Sequence, residues 1–168
     1  MCKNFNILKR TFVFTLAVIL LLGMTGCADI LSLVMENYSI APVQEFYDLV
    51  RESQGLLDAV ADTIYDNWHG AVYNDEFDGN INMALYAAQM EHEEDLARIE
   101  ELDALITESF KTAKTAECED QVKAVMSAYS EYYEFVVNVS GSFNSFSASS
   151  ESLKKNLAST LKELSFEL

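Results

Sequence analysis

The sequence predicts an all-α protein, an antiparallel helical bundle of about four helices over residues 41–168. The chain has one proline, Pro42, and few glycines, whereas folds rich in tight turns need more of both. Its apolar residues recur at spacings of three and four, which is the periodicity of a helix with one buried face. Because each predicted helix has a single apolar face, the helices must pack together to bury those faces.

The first two helices are expected on either side of a polar loop. The first begins near Pro42, a residue suited to a first helical turn, and ends around His69–Gly70. Residues 70–80 interrupt the apolar pattern with Gly, Asn and Asp and form a loop, and the second helix covers 81–112. The first stripe is Phe46, Leu49, Val50, Leu57, Val60, Ile64 and Trp68; the second is Ile81, Ala84, Leu85, Ala88, His92, Leu96, Ile99, Leu102, Ile106 and Phe110.

The third and fourth helices complete the bundle. A change of phase near residues 114–117 separates the second helix from the third, although one kinked helix would fit the same pattern. The third stripe is Cys118, Val122, Val125, Met126, Tyr129, Tyr133, Val136 and Val137. After a Ser-rich loop, Ser147, Ser149 and Ser150 are possible N-caps for a last helix. Its seam is Leu153, Leu157, Leu161, Leu164 and Leu168.

The N-terminus has the pattern of a secretory signal. Three basic residues precede an apolar run from Phe12 to Leu22, which is too short to span a bilayer comfortably. The run is followed by Met24-Thr25-Gly26-Cys27, which resembles the lipobox of bacterial lipoproteins, with Met24 in place of the usual Leu. The resemblance implies removal of residues 1–26 and attachment of lipid, such as palmitate, to Cys27. An uncleaved signal anchor is the alternative.

The resemblance defines the expected domains and location. Residues 1–26 are the signal peptide, 27–40 the lipidated cysteine and a tether, and 41–168 the bundle. The mature protein is expected on the extracytoplasmic face of the cell membrane or the outer membrane, held by the lipid on Cys27. Cys118 is then the remaining thiol, and its place on an apolar stripe predicts an inert core cysteine.

The charge of the mature chain excludes some partners. No acidic residue precedes Cys27, so 27 acidic and eight basic residues remain, a formal charge of −19. Such a domain does not neutralise phosphates, which excludes nucleic acid, and it is repelled by anionic headgroups.

The first loop contains a possible calcium site. Asn74, Glu76 and Asp78 alternate as oxygen ligands do in calcium loops, and Gly79 could supply the sharp turn. The twelfth position is Leu85, where a calcium loop needs a bidentate Glu, so an ordinary polar turn is favoured.

The histidines and serines point to no catalytic or metal site. Di-metal bundles need two Glu-x-x-His pairs, which are absent, and His92 fits a hydrogen-bonded core histidine. A metal site joining His92 to Glu91 or Asp95 is disfavoured because these neighbours are expected to point to different faces. Without a nucleophile motif or a phosphate-binding glycine loop, we expect no enzyme and no cofactor.

A group of aromatic residues flanks the first loop. These rings could line a groove for a glycan or peptide, or simply close one end of the bundle. They are Tyr65, Trp68, Tyr73, Phe77 and Tyr86. The sequence thus predicts a non-enzymatic envelope lipoprotein that binds another protein or a cell-wall component, or acts structurally; the alternative is a calcium-dependent module.

Overall fold

The computed structural model describes the backbone of residues 27–168 and the side chains of residues 40–168. The predicted signal peptide, 1–26, and the side chain of Cys27 lie outside the described residues. The chain divides into two units, Met1–Tyr38 and Ser39–Leu168, and the second contains nearly all the packing reported below.

The described part of the chain is all-helical, with five helices and no strand. The helices are α1 (Cys27–Tyr73), α2 (Ile81–Glu91), α3 (Glu93–Ala113), α4 (Glu119–Val137) and α5 (Phe143–Leu164), and a 3-10 turn (Glu76–Gly79) lies between α1 and α2. The predicted all-α class is therefore confirmed. No helix within residues 27–168 combines the length and hydropathy of a membrane span.

Helix α1 differs from its predicted bounds at both ends. It begins at Cys27, so the predicted tether has helical backbone and Pro42 lies inside the helix. The apolar spacing already starts at Ile30 and Leu31, and no glycine interrupts it before Pro42. The helix also continues past Gly70, where the Glu76 carboxylate lies so close that a methyl group would collide with it. Gly70 therefore accommodates a close approach and does not end the helix.

The second predicted helix is two helices in the structure, and the break is at His92. This residue ends α2 and precedes α3 with non-helical dihedral angles (φ −111°, ψ 28°). Glu93, Glu94 and Asp95 form the first turn of α3, where acidic side chains interact favourably with the helix dipole. That run of acids is a helix-start signal that the periodicity concealed.

The remaining junctions follow the sequence more closely. Helices α3 and α4 are separate, and residues 114–118 form the turn between them, so the single kinked helix is excluded. Helix α5 begins earlier than predicted, at Phe143, because Ser142 and Ser145 form a capping box. Ser147, Ser149 and Ser150 lie inside the helix and are not its N-cap.

One apolar core includes side chains from all five helices. Nearly all the predicted stripe residues are buried or pack against it, but Ile81 is 39% exposed. Its largest fully buried side chains include Tyr129, Tyr132, Phe46 and Phe146. Tyr132 Oη donates a hydrogen bond to Asp58 Oδ1 at 2.8 Å, which joins α4 to α1. Lys154 on α5 forms an ion pair with Asp62, so α1 contacts both helices through polar groups.

Candidate functional site

Aromatic rings from α1 and α5 form a cluster at the C-terminal end of α1. Phe143 is its centre: the ring centroids of Tyr65, Tyr73 and His69 lie 5.2, 5.7 and 5.7 Å from its own. Trp68 packs beneath, 5.5 Å from Phe146. We call Tyr65, Trp68, His69, Tyr73, Phe143 and Phe146 the aromatic cluster.

The aromatic cluster is partly buried and partly accessible. Trp68 is 4% exposed and Phe146 1%, whereas Tyr65 is 36% and Tyr73 59% exposed. The inner rings therefore belong to the core, and the outer rings present an aromatic surface. The buried rings fit the prediction that these residues close part of the domain, and a groove for a glycan or peptide stays a prediction.

The structure brings together only some of the predicted aromatic group. Tyr65, Trp68 and Tyr73 meet, but Tyr86 is 63% exposed on α2 and makes none of the described ring contacts, and nor does Phe77. The sequence reading missed the two phenylalanines of α5. Their signal was the spacing of Phe143 and Phe146, one helical turn apart at the start of α5.

A second exposed apolar surface lies on α2. Met83, Tyr86 and Met90 are 53%, 63% and 50% exposed. Their spacing of three and four places them on one helix face, which we call the α2 stripe. The opposite face of α2 buries Ala84 and Ala88. Exposed apolar patches of this kind, surrounded by polar residues, are typical of interaction sites.

The predicted calcium ligands lie in and beside the 3-10 turn. Asp75, Phe77 and Asp78 all have left-handed dihedral angles, with φ of 60°, 56° and 54°. The Glu76 carboxylate lies over Gly70 in α1. Among the described residues, no group of three or more His, Cys, Asp or Glu side chains is arranged to hold a metal ion. Calcium binding by Asn74, Glu76 and Asp78 stays a prediction.

His92 connects α1 to the start of α3 by hydrogen bonds from both ring nitrogens. Its Nε2 lies 2.8 Å from Thr63 Oγ1, and its Nδ1 lies 2.6 Å from Asp95 Oδ2. The expectation of a hydrogen-bonded histidine is confirmed. The expectation that Asp95 would point to another face was wrong, because Asp95 follows His92 by three residues and this spacing brings the two side chains together.

Cys118 precedes α4 and packs half-buried against the core. Burial raises the pKa of its thiol, which favours the protonated form and lowers its reactivity. These observations fit the predicted inert cysteine.

A groove of about 470 Å³ is lined by residues of α1, α2, α3 and α4. Its lining is mostly apolar and includes Val60, Leu96 and Val137, with Glu100 and Gln89 as polar members. Tyr133 also lines it, and burial raises the pKa of this phenol. The groove therefore combines apolar side chains with two polar groups and a phenol that favours its protonated form.

Comparison with protein-family models, curated proteins and solved structures finds no match to this chain. The features that can indicate a function are therefore the chain's own exposed surfaces, the aromatic cluster and the α2 stripe.

Proposed function

We propose that this protein is a lipid-anchored lipoprotein of the extracytoplasmic face of the cell envelope, with a non-enzymatic role in binding a partner. The observation that carries the binding role is the α2 stripe, an exposed apolar face on a strongly acidic chain. The anchor is proposed from Met24-Thr25-Gly26-Cys27 alone.

The arrangement proposed for the domain is an antiparallel helical bundle. Contacts from α1 to α2 and α3 support antiparallel packing. As the residue number along α1 rises, the number of the residue that it contacts in α2 or α3 falls. Phe46 meets Phe110, Glu52 meets Arg98, Thr63 meets His92, and Asn67 meets Ala84. Helix α5 follows the same rule, with Asp62 against Lys154 and Trp68 against Phe146.

In the proposed bundle, α2 and α3 act as one broken helix in the second position. This makes five helices equivalent to about four bundle positions. The break at His92 separates α3, which has many charged residues, from α2, in which Glu91 is the single charged residue. In this bundle α2 packs small alanines on the core and presents three large apolar side chains to solvent, so its outer face is available to a partner.

The anchor is tested by replacing Cys27. In bacteria that produce the full chain, Cys27→Ser should abolish incorporation of labelled palmitate and leave an unprocessed precursor. The matched control is Cys118→Ser, which removes the other thiol of the mature chain and should leave labelling and processing unchanged. A mature-sized, acylated Cys27→Ser product would contradict the lipoprotein assignment.

The binding role is tested by crosslinking in living cells. A photoreactive amino acid is placed at Tyr86 in the full chain, or at Leu105, which is 48% exposed on α3. We expect a discrete crosslinked envelope species from position 86 and none from position 105. Absence of crosslinks from position 86, or the same products from both positions, would contradict a binding role for this surface.

A further inference from the structure

Helix α2 is built with small residues inside and large apolar residues outside. Ala84 and Ala88 are fully buried, whereas Met83, Tyr86 and Met90 are at least half exposed. Moving a large apolar side chain out of water contributes about 1.5–3 kcal/mol to stability, and this helix forgoes that contribution on its outer face. The stripe is therefore poorly explained by folding of the domain alone.

The α2 stripe is also uncharged, although acidic residues border it at both ends. No charged residue occurs from Ile81 to Met90, and no Lys or Arg occurs between Arg51 and Arg98. Exposed acids lie at both ends of the helix: Asp75, Glu76 and Asp78 precede it, Glu91 is its last residue, and Glu93 and Glu94 follow it. None of these six forms an ion pair within the described side chains.

We infer that the α2 stripe is a docking surface for a basic amphipathic segment of a partner protein. This inference rests on the proposed binding function and names the chemistry of the partner. Apolar side chains of the segment would pack on Met83, Tyr86 and Met90, and Lys or Arg residues on either side would meet the two acidic borders. Methionine adapts to varied apolar partners, and tyrosine provides a rigid anchor.

The length of α2 defines the size of the segment. Eleven residues of helix extend for about 16 Å, so the apolar part of a helical partner spans roughly three turns. Basic residues are then required at both ends of that span, because both borders are acidic. The partner would thus pack its apolar face on the apolar face of α2, with complementary charge defining the register.

Charge argues against the other occupants of an exposed apolar face. A second copy of this chain would bring acidic borders against acidic borders in either orientation, because both ends of α2 carry the same sign. An anionic membrane surface and a nucleic acid are repelled for the same reason. A cationic segment is the partner for which the apolar and the charged contacts both contribute favourably.

The test measures binding of a synthetic peptide to the full chain in nanodiscs of zwitterionic lipid. The probe is a fluorescent helical peptide of about 14 residues with Leu along one face and Lys at both ends, which covers roughly 20 Å. A scrambled peptide of the same composition is the first control, and empty nanodiscs report binding to lipid alone. We expect saturable binding that is at least about tenfold tighter for the amphipathic peptide than for the scrambled one.

Variants then locate the binding surface. The triple variant Met83→Ser, Tyr86→Ser, Met90→Ser should weaken binding about tenfold or more, whereas Leu105→Ser should change it less than about twofold. Glu93→Lys with Glu94→Lys should weaken it more than the matched pair Glu131→Lys with Glu163→Lys, which are exposed on other helices. The single variant Tyr86→Ala, with unfolding temperature measured in parallel, provides a milder test if the triple variant fails to fold.

Three results would overturn the inference. The first is equal binding of the amphipathic and scrambled peptides, which would indicate general attraction to negative charge. The second is unchanged binding by both the triple variant and Tyr86→Ala. The third is a dimer in sedimentation that the triple variant dissociates, which would make a second copy the occupant. None of these depends on Cys27 processing or on crosslinking at residue 86, so the proposed function can fail or survive separately.

Discussion

Helices α5 and α2 use their apolar residues in opposite ways. Helix α5 buries Phe146, Leu157, Leu161 and Leu164 and leaves mostly polar residues in solvent, whereas α2 buries two alanines and exposes the three side chains of its stripe. Both are amphipathic, yet in α5 the large apolar face stabilises the domain. The comparison teaches that large apolar residues of α5 stabilise the fold, whereas those of α2 are available for binding. Mutations can measure this difference as a difference in the free energy of unfolding.

The largest effect is expected from truncating a buried leucine of α5. Leu157→Ala should lower the free energy of unfolding by about 2–5 kcal/mol, because the Leu157 side chain is fully buried and its truncation leaves a cavity in the core. Met83→Ala on the α2 stripe should change it by less than about 0.5 kcal/mol. Urea unfolding of both variants checks the comparison, and similar losses for the two would show that α2 also supports the core.

The next effect concerns the buried phenol of Tyr132. Tyr132→Phe removes the hydrogen bond to Asp58 and leaves a carboxylate oxygen without that donor, at a cost of about 1–3 kcal/mol. Tyr86→Phe is the matched control on the α2 stripe, and its exposed hydroxyl should contribute almost nothing. Urea unfolding at neutral pH compares the two, and equal effects would remove the distinction between core and stripe.

The buried phenol of Tyr132 also predicts a pH dependence of stability. Burial, followed by the hydrogen bond to Asp58, raises the pKa of Tyr132 above its ordinary value. The folded state therefore favours the protonated phenol, so this stability is complete below pH ~10 and falls as the pH rises beyond it. The unfolding temperature should decline above pH ~10 less steeply in Tyr132→Phe than in the parent chain. An identical decline in both would contradict the assignment of this effect to Tyr132.

A smaller effect is expected at the start of α5. The Ser142 hydroxyl accepts a hydrogen bond from the Ser145 backbone, so Ser142→Ala should lower the free energy of unfolding by about 1 kcal/mol. Ser149→Ala provides the control, because Ser149 is exposed inside the helix and alanine favours helix there. Thermal unfolding distinguishes them, and a greater loss for Ser149→Ala would move the N-cap to the predicted later position.

The smallest effect is expected in the turn before α2. Asp78 has a left-handed φ of 54°, which glycine adopts without strain from a β-carbon. Asp78→Gly should raise the free energy of unfolding by a few tenths of a kcal/mol up to about 1, with Asp78→Asn near neutral. Chemical denaturation checks the order of the two variants. A clear loss in both would indicate that the Asp78 carboxylate itself stabilises the turn.

Most of the core could be predicted from periodicity, and the errors have identifiable causes. Phe46, Ile99, Val125 and Leu157 were placed correctly because spacing of three and four reports which helix face is apolar. Periodicity does not report whether that face meets a partner within the domain. For this reason Ile81 was assigned to the core, and the stripe of Met83, Tyr86 and Met90 was not noticed.

Element ends were harder to predict than the core, since they depend on single contacts. Pro42 suggested a helix start because proline favours the first turn, yet α1 begins before it. At the break between α2 and α3, His92 is hydrogen-bonded to Thr63, which lies 29 residues away along the chain. Such a contact has no local sequence pattern.

The sequence by itself determined the helical class, the buried faces of α1, α3, α4 and α5, and the strong negative charge, because these follow from composition and local periodicity. Tertiary structure decided that α2 presents its larger apolar face to solvent between two acidic borders, and that α5 adds Phe143 to the rings of α1. The reason is physical: exposure depends on which surfaces the other helices occupy, and that is a property of the packed domain.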